Sequence, residues 1–329
     1  MEVCKMSEKI VLGIDIGFGN NKVVIASNEK GILKQFSFPT VVGTVKRQEL
    51  IDDPRIFDYD GNSYYVGEEA LLLPSTSIVD VKDYKALEYF APLFIYYVCN
   101  KEKINPDVIA TGLSKAHIGQ SQYFQEKISK FTVNGNEIIN NNVYVLPQGA
   151  GAKITIDEYG DNFPTKNSEF LGDRSYVGAD IGFNTLDMFQ VIHGKVSPNL
   201  FEGVENSGIV KIAKQLIDLV KEKLGKDITF NEAKEILANN GLRIRGKTID
   251  FTSEIKEFKK QYLEELMALV ESKYGKILDK MENLYIIGGG SYIFKDEEDD
   301  FIKIPKKDNE YYNAIGFYLY ARSKLASIK

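Results

Sequence analysis

The sequence predicts an α/β protein made of two related lobes. Three observations lead there. A strand–turn–strand segment occurs once in each half of the chain. Amphipathic helices lie beyond the second copy. The length of 329 residues exceeds what one ordinary core supports and suits two domains of about 100–200 residues each.

The duplicated segment comes first in the chain and carries most of the argument. Residues 10–25 read IVLGIDIGFGNNKVVI and residues 176–192 read YVGADIGFNTLDMFQVI. Each has an apolar run, an Asp, a turn rich in Gly and Asn, then a second run rich in Val, Ile or Phe, the pattern of a β-hairpin. Near-duplicates this far apart indicate two domains on related plans rather than a solenoid. Turns holding Gly17 and Gly19, or Gly182 and Asn184, are expected to use positive φ and to aim successive N–H groups at one point. Two such turns facing each other would hold a polyphosphate from both sides.

Asp15 and Asp180 would repel phosphate directly. They suit the waters of a Mg²⁺ ion, which keeps much of its hydration shell. Lys22 can pair with phosphate oxygens, and Asn184 and Thr185 can donate to them. Either copy alone could be an ordinary hairpin; the repeated Asp argues for the phosphate reading. After Gly19 the chain continues as Lys22-Val23-Val24-Ile25, which is extended, so a Rossmann turn into a helix does not fit. No P-loop string is present.

Three further segments extend the pattern. Gly288-Gly289-Gly290 follow an apolar strand in NLYIIGGGSYIF; there, backbone can approach a base or sugar and open a helix whose N-terminus favours anions. Residues 146–152, LPQGAGA, hold small residues that permit close helix crossing, with Gln148 at the start of that helix. Ala314 and Gly316 open a terminal helix suited to the same close packing.

The order of these motifs resembles the superfamily of actin, Hsp70 chaperones and sugar kinases. Within it the chain is similar to ParM (StbA)-type bacterial and archaeal actin-like proteins. The strings are Tyr65-Val66-Gly67-Glu68-Glu69-Ala70, Thr111-Gly112-Leu113, Asp180 through Asp187, and Ile287-Gly288-Gly289-Gly290. The resemblance implies an α/β actin-like ATPase fold with a nucleotide cleft between its lobes. It also implies ATP (or GTP) with Mg²⁺, self-assembly into filaments, and plasmid segregation through a DNA-bound adaptor of ParR type. By the same resemblance Asp15 and Asp180 hold the metal through water, and Gly17, Phe18, Gly19, Asn20 and Lys22 form the first phosphate loop. Gly182, Phe183, Asn184, Thr185 and Asp187 form the second, and Gln148 orients the attacking water. Phe18 and Phe183 stand where relatives carry small or hydroxyl residues. Lys211 and Lys214 lie near the expected base and ribose contacts, or simply on a solvated face.

The first lobe is expected over residues 1–158 with 312–329, and the second over 175–311. The polar stretch 159–174, containing Pro164, reads as the loop between them. Helices are expected over 207–224 and 254–281, where apolar residues recur at three and four. The acid run Lys295 to Asp300 reads as a solvated loop, or as a longitudinal or partner contact.

Composition narrows the alternatives. With 43% apolar and 27% charged residues the chain is globular, and its net charge of −6 gives no basic surface for bare nucleic acid. Two cysteines and two histidines build neither a disulfide framework nor a Ser-His-Asp arrangement, which fits a reducing cytoplasm. The segment Met1 to Lys9 is polar, unlike a signal peptide. The apolar run Leu87 to Val98 contains Pro92 and is expected as a buried helix rather than a membrane span. Two rival functions remain. A monomeric sugar or acid kinase of the same fold would need a catalytic Asp, for which Asp187 stands closest to the second loop. A membrane-tethered cell-shape filament would need a basic amphipathic helix, and the N-terminal sequence does not show one.

Overall fold

A computed structural model describes residues 8–46, 53–79, 81, 83–165, 173–196 and 201–325. The chain divides into two units, Met1–Leu171 with Glu310–Lys329, and Gly172–Asn309.

The first unit opens with β1 (Ile10–Ile16), β2 (Asn20–Ser27) and β3 (Gly31–Pro39). The chain then passes through Thr40 into β4 (Val42–Val45), β5 (Phe57–Tyr59), β6 (Asn62–Val66) and β7 (Ile78–Val79), which form a small sheet ordered β5-β6-β4-β7. Next come α1 (Tyr84–Glu102), β8 (Val108–Leu113), α2 (Ser121–Ser129), the ribbon β9 (Lys130–Val133) and β10 (Asn136–Ile139), β11 (Val143–Pro147) and α3 (Ala150–Tyr159). The main sheet is ordered β11-β8-β1-β2-β3, antiparallel through β1-β2-β3 and parallel through β1-β8-β11.

The second unit runs β12 (Tyr176–Ile181), β13 (Thr185–Ile192), β14 (Lys195–Val196), β15 (Glu202–Glu205), α4 (Val210–Leu224) and α5 (Phe230–Asn239). It continues through the ribbon β16 (Gly241–Ile244) and β17 (Lys247–Asp250), then α6 (Thr252–Leu278), β18 (Asn283–Ile287) and β19 (Ile302–Lys303). Its sheet repeats the plan: β12 pairs antiparallel with β13 on one side and parallel with β18 on the other, and β18 pairs parallel with β19. The last helix, α7 (Tyr312–Leu325), belongs to the first unit.

β1 is apolar almost without interruption because helices cover both of its faces. Leu12, Ile14 and Ile16 face the core shared with α1, whereas Gly13 lies against Ala314 and Tyr318 of α7. Each fully buried aliphatic side chain of this kind contributes about 1.5–3 kcal/mol. The expected helices are present. α4 buries Ile212, Ala213, Leu216 and Val220, and α6 buries Ile255, Tyr262, Leu266, Val270 and Tyr274, in each case at the three-and-four spacing. α1 keeps Pro92 within its buried stripe and starts at Asp83, whose carboxylate accepts from the Ala86 N–H at 2.9 Å. No described helix is long and apolar enough to cross a membrane.

Two small-residue contacts fix α7. A Cβ on Gly316 would fall on the Gly151 carbonyl, and one on Gly112 would fall on the Phe317 ring. Asn313 Oδ1 accepts from the Gly149 and Ala152 N–H groups at 3.0 and 3.1 Å, serving the otherwise unpaired start of α3. The acid run is only partly a loop, since a 3-10 segment covers Gly289–Glu297 before the chain opens out. Within it, Asp299 accepts from the Phe301 and Ile302 N–H groups, and those bonds hold its carboxyl below the usual range. The segment 159–174 lies partly outside the described residues. Its first turn packs on the first unit, where Tyr312 donates to the Gly160 carbonyl at 2.9 Å.

Candidate functional site

Both duplicated segments are hairpins, and each presents its Asp at the end of the first strand. In the first, Asp15 stands opposite Lys22, and Lys22 Nζ lies 3.5 Å from Asp15 Oδ2. Gln148, just past β11, donates from Nε2 to Asp15 Oδ1 at 2.7 Å. Parallel pairing of β1, β8 and β11 brings their C-terminal ends together, and this is how residues so distant in sequence meet. Asp15 is 4% exposed and therefore held by its partners rather than by bulk water.

The turn itself differs from the expectation in one respect. Gly17, Gly19, Gly182 and Asn184 do not have positive φ. Space around the turn is tight instead: a Cβ on Gly17 would sit 3.1 Å from both Lys22 Nζ and the Asn20 carbonyl. In the second hairpin a Cβ on Gly182 would meet the Thr185 carbonyl at 3.2 Å. Phe18 packs against the core of the first unit, and Phe183 against that of the second, edge-on to Phe230 at 6.0 Å. Lys234 lies 4.1 Å over the Phe183 ring. These half-buried rings anchor the turns.

In the second unit Asp180 and Asp187 are register partners on β12 and β13. Asp180 is 8% exposed and Asp187 only 1%. Gly288, at φ +86, lies directly on Asp180, where any Cβ would strike Asp180 Oδ1 and the Ile181 carbonyl. Gly290 is packed against Ile181 and Ile209 in the same way, whereas Gly289 is exposed. Gly288 and Gly290 thereby seat their loop against the end of β12. The helix it opens, over Gly289–Glu297, is a 3-10 helix. Ser291 Oγ donates back to the Gly288 carbonyl at 2.7 Å, and Asn309 Nδ2 donates to that hydroxyl.

Lys211 and Lys214 have local partners. Lys211 pairs with Glu265 at 2.6 Å and Lys214 donates to Asn206 at 3.3 Å, both on the exposed surface.

Sequence reading missed the residues that brace the two turns. In the first unit Thr40 donates its hydroxyl to the Gly17 carbonyl and its N–H to the Gly19 carbonyl at 3.2 Å. In the second, the N–H groups of Ser207 and Gly208 reach the Asn184 carbonyl at 3.1 and 3.3 Å. Ile209 and Val210 reach the Gly182 and Phe183 carbonyls at 3.1 and 2.7 Å. Gly208 has to be glycine, since a Cβ there would fall on the Gly182 carbonyl. Tyr262 donates to the Ser207 carbonyl at 2.7 Å, and burial pushes its phenol well above the ordinary range, so it remains a donor. A Gly immediately before the amphipathic run of α4 was the one visible signal.

The donor chemistry fits a hydrated Mg²⁺. Asp15 in the first unit and Asp180 in the second are each hard carboxylates of the kind that ion accepts beside its own waters and ligand phosphates. Among the described residues no group of three or more His, Cys, Asp or Glu could form an all-protein cage.

The comparisons agree with this fold. Residues 13–151 match the family model for the N-terminal domain of actin-like proteins, and residues 179–299 match that for the C-terminal domain of the archaeal MreB-like actin homologue. No curated protein matches the chain. Among solved structures, an archaeal actin homologue is 17% identical, aligned over 95% of this chain and 99% of its own, with a TM-score of 0.75. A ParM from Clostridium botulinum, solved as a 15-stranded filament, is 18% identical over 96% of this chain and 99% of its own, also at 0.75. The archaeal homologue was also solved with ADP, at 17% identity, 95% and 99% coverage, and 0.72. With both domain models matched in order and the fold shared along the chain, this is an actin-like protein with the α/β actin-like ATPase fold.

Proposed function

We propose that this protein is a ParM-type, filament-forming ATPase that binds Mg-ATP, or Mg-GTP, through its two hairpins. The observation that carries the reading is the repeated hairpin with a buried Asp at the same offset, Asp15 held by Gln148 and Asp180 covered by Gly288. Asp15 and Asp180 would hold the metal through its waters, and the metal would offset charge developing on the phosphates. Backbone N–H groups of Gly17 to Asn20 and of Gly182 to Thr185 would bind phosphate, with Lys22 shared between Asp15 and the ligand. Thr185 would donate to phosphate from the second hairpin, where Asp187 lies buried as the register partner of Asp180. Gln148 would present its free amide oxygen to the attacking water while its NH₂ stays on Asp15.

Self-assembly is supported by the likeness in fold to proteins solved as filaments. The further steps, plasmid DNA as cargo and a ParR-type adaptor as link in the cytoplasm, rest on resemblance to ParM and on the acidic net charge. The burial of Asp187 counts against the kinase reading, because a general base has to reach the substrate hydroxyl. The test is phosphate release from ATP and GTP, with and without Mg²⁺, across a range of protein concentration. Release that needs Mg²⁺ and rises more steeply than protein concentration is expected. Release with no such dependence, or phosphate transferred to an added sugar, would overturn the reading.

A further inference from the structure

We propose that Thr40 is a positioning residue for phosphate binding: it fixes the direction of the first turn's N–H groups by holding their carbonyls from behind. This inference rests on the nucleotide reading above. In a trans peptide plane the C=O of one residue and the N–H of the next point in opposite directions. Thr40 holds the Gly17 carbonyl with its hydroxyl and the Gly19 carbonyl with its N–H. The N–H groups of Phe18 and Asn20 are thereby turned away from Thr40.

Two observations say that this clasp is more than local packing. The second hairpin holds its corresponding carbonyls, those of Gly182 and Asn184, by other means: the backbone N–H groups of Ser207, Gly208 and Ile209. A requirement met twice with unrelated residues belongs to the turn, not to one stretch of chain. The Thr40 hydroxyl is moreover oriented by a buried partner. Asn21 Nδ2 donates to Thr40 Oγ1 at 3.1 Å, which directs the hydroxyl hydrogen to Gly17. Asn21 is fully buried, and its Oδ1 has no partner, a costly arrangement for a residue with no other evident task. Thr40 also marks the passage from β3 into β4, so the clasp ties the phosphate turn to the small sheet.

The test compares wild type, Thr40→Val and Thr40→Ser by titration with ATP, GTP, ADP and the nucleosides adenosine and guanosine, alongside thermal midpoints. Valine keeps the shape and removes the hydroxyl, so it should weaken ATP and ADP by about tenfold, the loss of one ordinary hydrogen bond. Nucleoside binding should stay unchanged, and serine should restore phosphate affinity. Where valine leaves too little folded protein, Thr40→Cys allows the same comparison of ATP with adenosine, and its ratio of the two affinities should lie between those of serine and valine. Equal weakening of ATP and adenosine, a fall in thermal midpoint with no change in that ratio, or no weakening at all would each overturn the role. Wild type that binds neither ATP nor GTP would instead overturn the nucleotide reading, and this inference with it.

Discussion

Gln148 Nε2 donates to Asp15 Oδ1 at 2.7 Å, joining the end of β11 to the first hairpin. The bond fixes which end of the Gln148 amide meets Asp15 and leaves the other end to accept. Gln148→Ala is therefore expected to slow ATP hydrolysis by more than it weakens ATP binding, since positioning of water matters most in the transition state. Filaments formed with ATP should disassemble more slowly. Phosphate release and thermal midpoint, measured together, check this. Unchanged release, or a loss that only tracks unfolded protein, would leave Gln148 a packing residue.

Asp15→Ala and Asp180→Ala should each abolish the Mg²⁺-dependent part of nucleotide affinity. Each would remove charge-assisted hydrogen bonds of about 1.5–3 kcal/mol. Titration of ATP in Mg²⁺ and in EDTA is the measurement, and wild-type affinity in Mg²⁺ for both variants would contradict the assignment.

The hairpins and the long helices were legible because their patterns are local: an apolar run, a Gly-Asn turn and a second run, or apolar residues at three and four. Gly151 and Gly316 were legible as small residues at a helix crossing, and they do touch. Thr40 and Gly208 were not, because each acts on backbone carbonyls of a distant turn and carries no motif of its own. The turn glycines misled in a different way. Sequence suggests φ > 0, whereas the structure shows a turn without it, in which Lys22 and Asn20 crowd Gly17. The short strands β4 to β7 escape periodicity because each offers too few residues to show it.

Gly316→Ala should destabilise the first unit. Its Cβ would overlap backbone of Gly151, which cannot swing aside as a flexible side chain can. A loss of about 3 kcal/mol is expected, the upper part of the range for overpacking. Urea unfolding measures it, and a change below about 0.5 kcal/mol, the ordinary scatter of surface substitutions, would contradict the crossing.

Cys99 gives a pH dependence of known sign. Burial pushes its thiol up to about 12, so the folded chain keeps a proton that the unfolded chain loses from about pH 8.5. The contribution is complete below the unfolded value and is lost as pH rises toward the folded one, by at most about 1.4 kcal/mol per pH unit. Urea unfolding of wild type and Cys99→Ala between pH 8 and 10 should show a steeper fall for wild type. Parallel slopes would mean that the thiol ionises equally in both states.

Assembly is the most direct test of the whole account. Purified protein at tens of micromolar, sedimented after addition of Mg-ATP, Mg-GTP, a non-hydrolysable analogue, Mg-ADP or ATP with EDTA, separates the alternatives. The account predicts pelleted filaments with Mg²⁺ and a triphosphate, persistent with the analogue and lost with EDTA or ADP. Protein that stays in the supernatant under every condition, while still binding nucleotide, would contradict it.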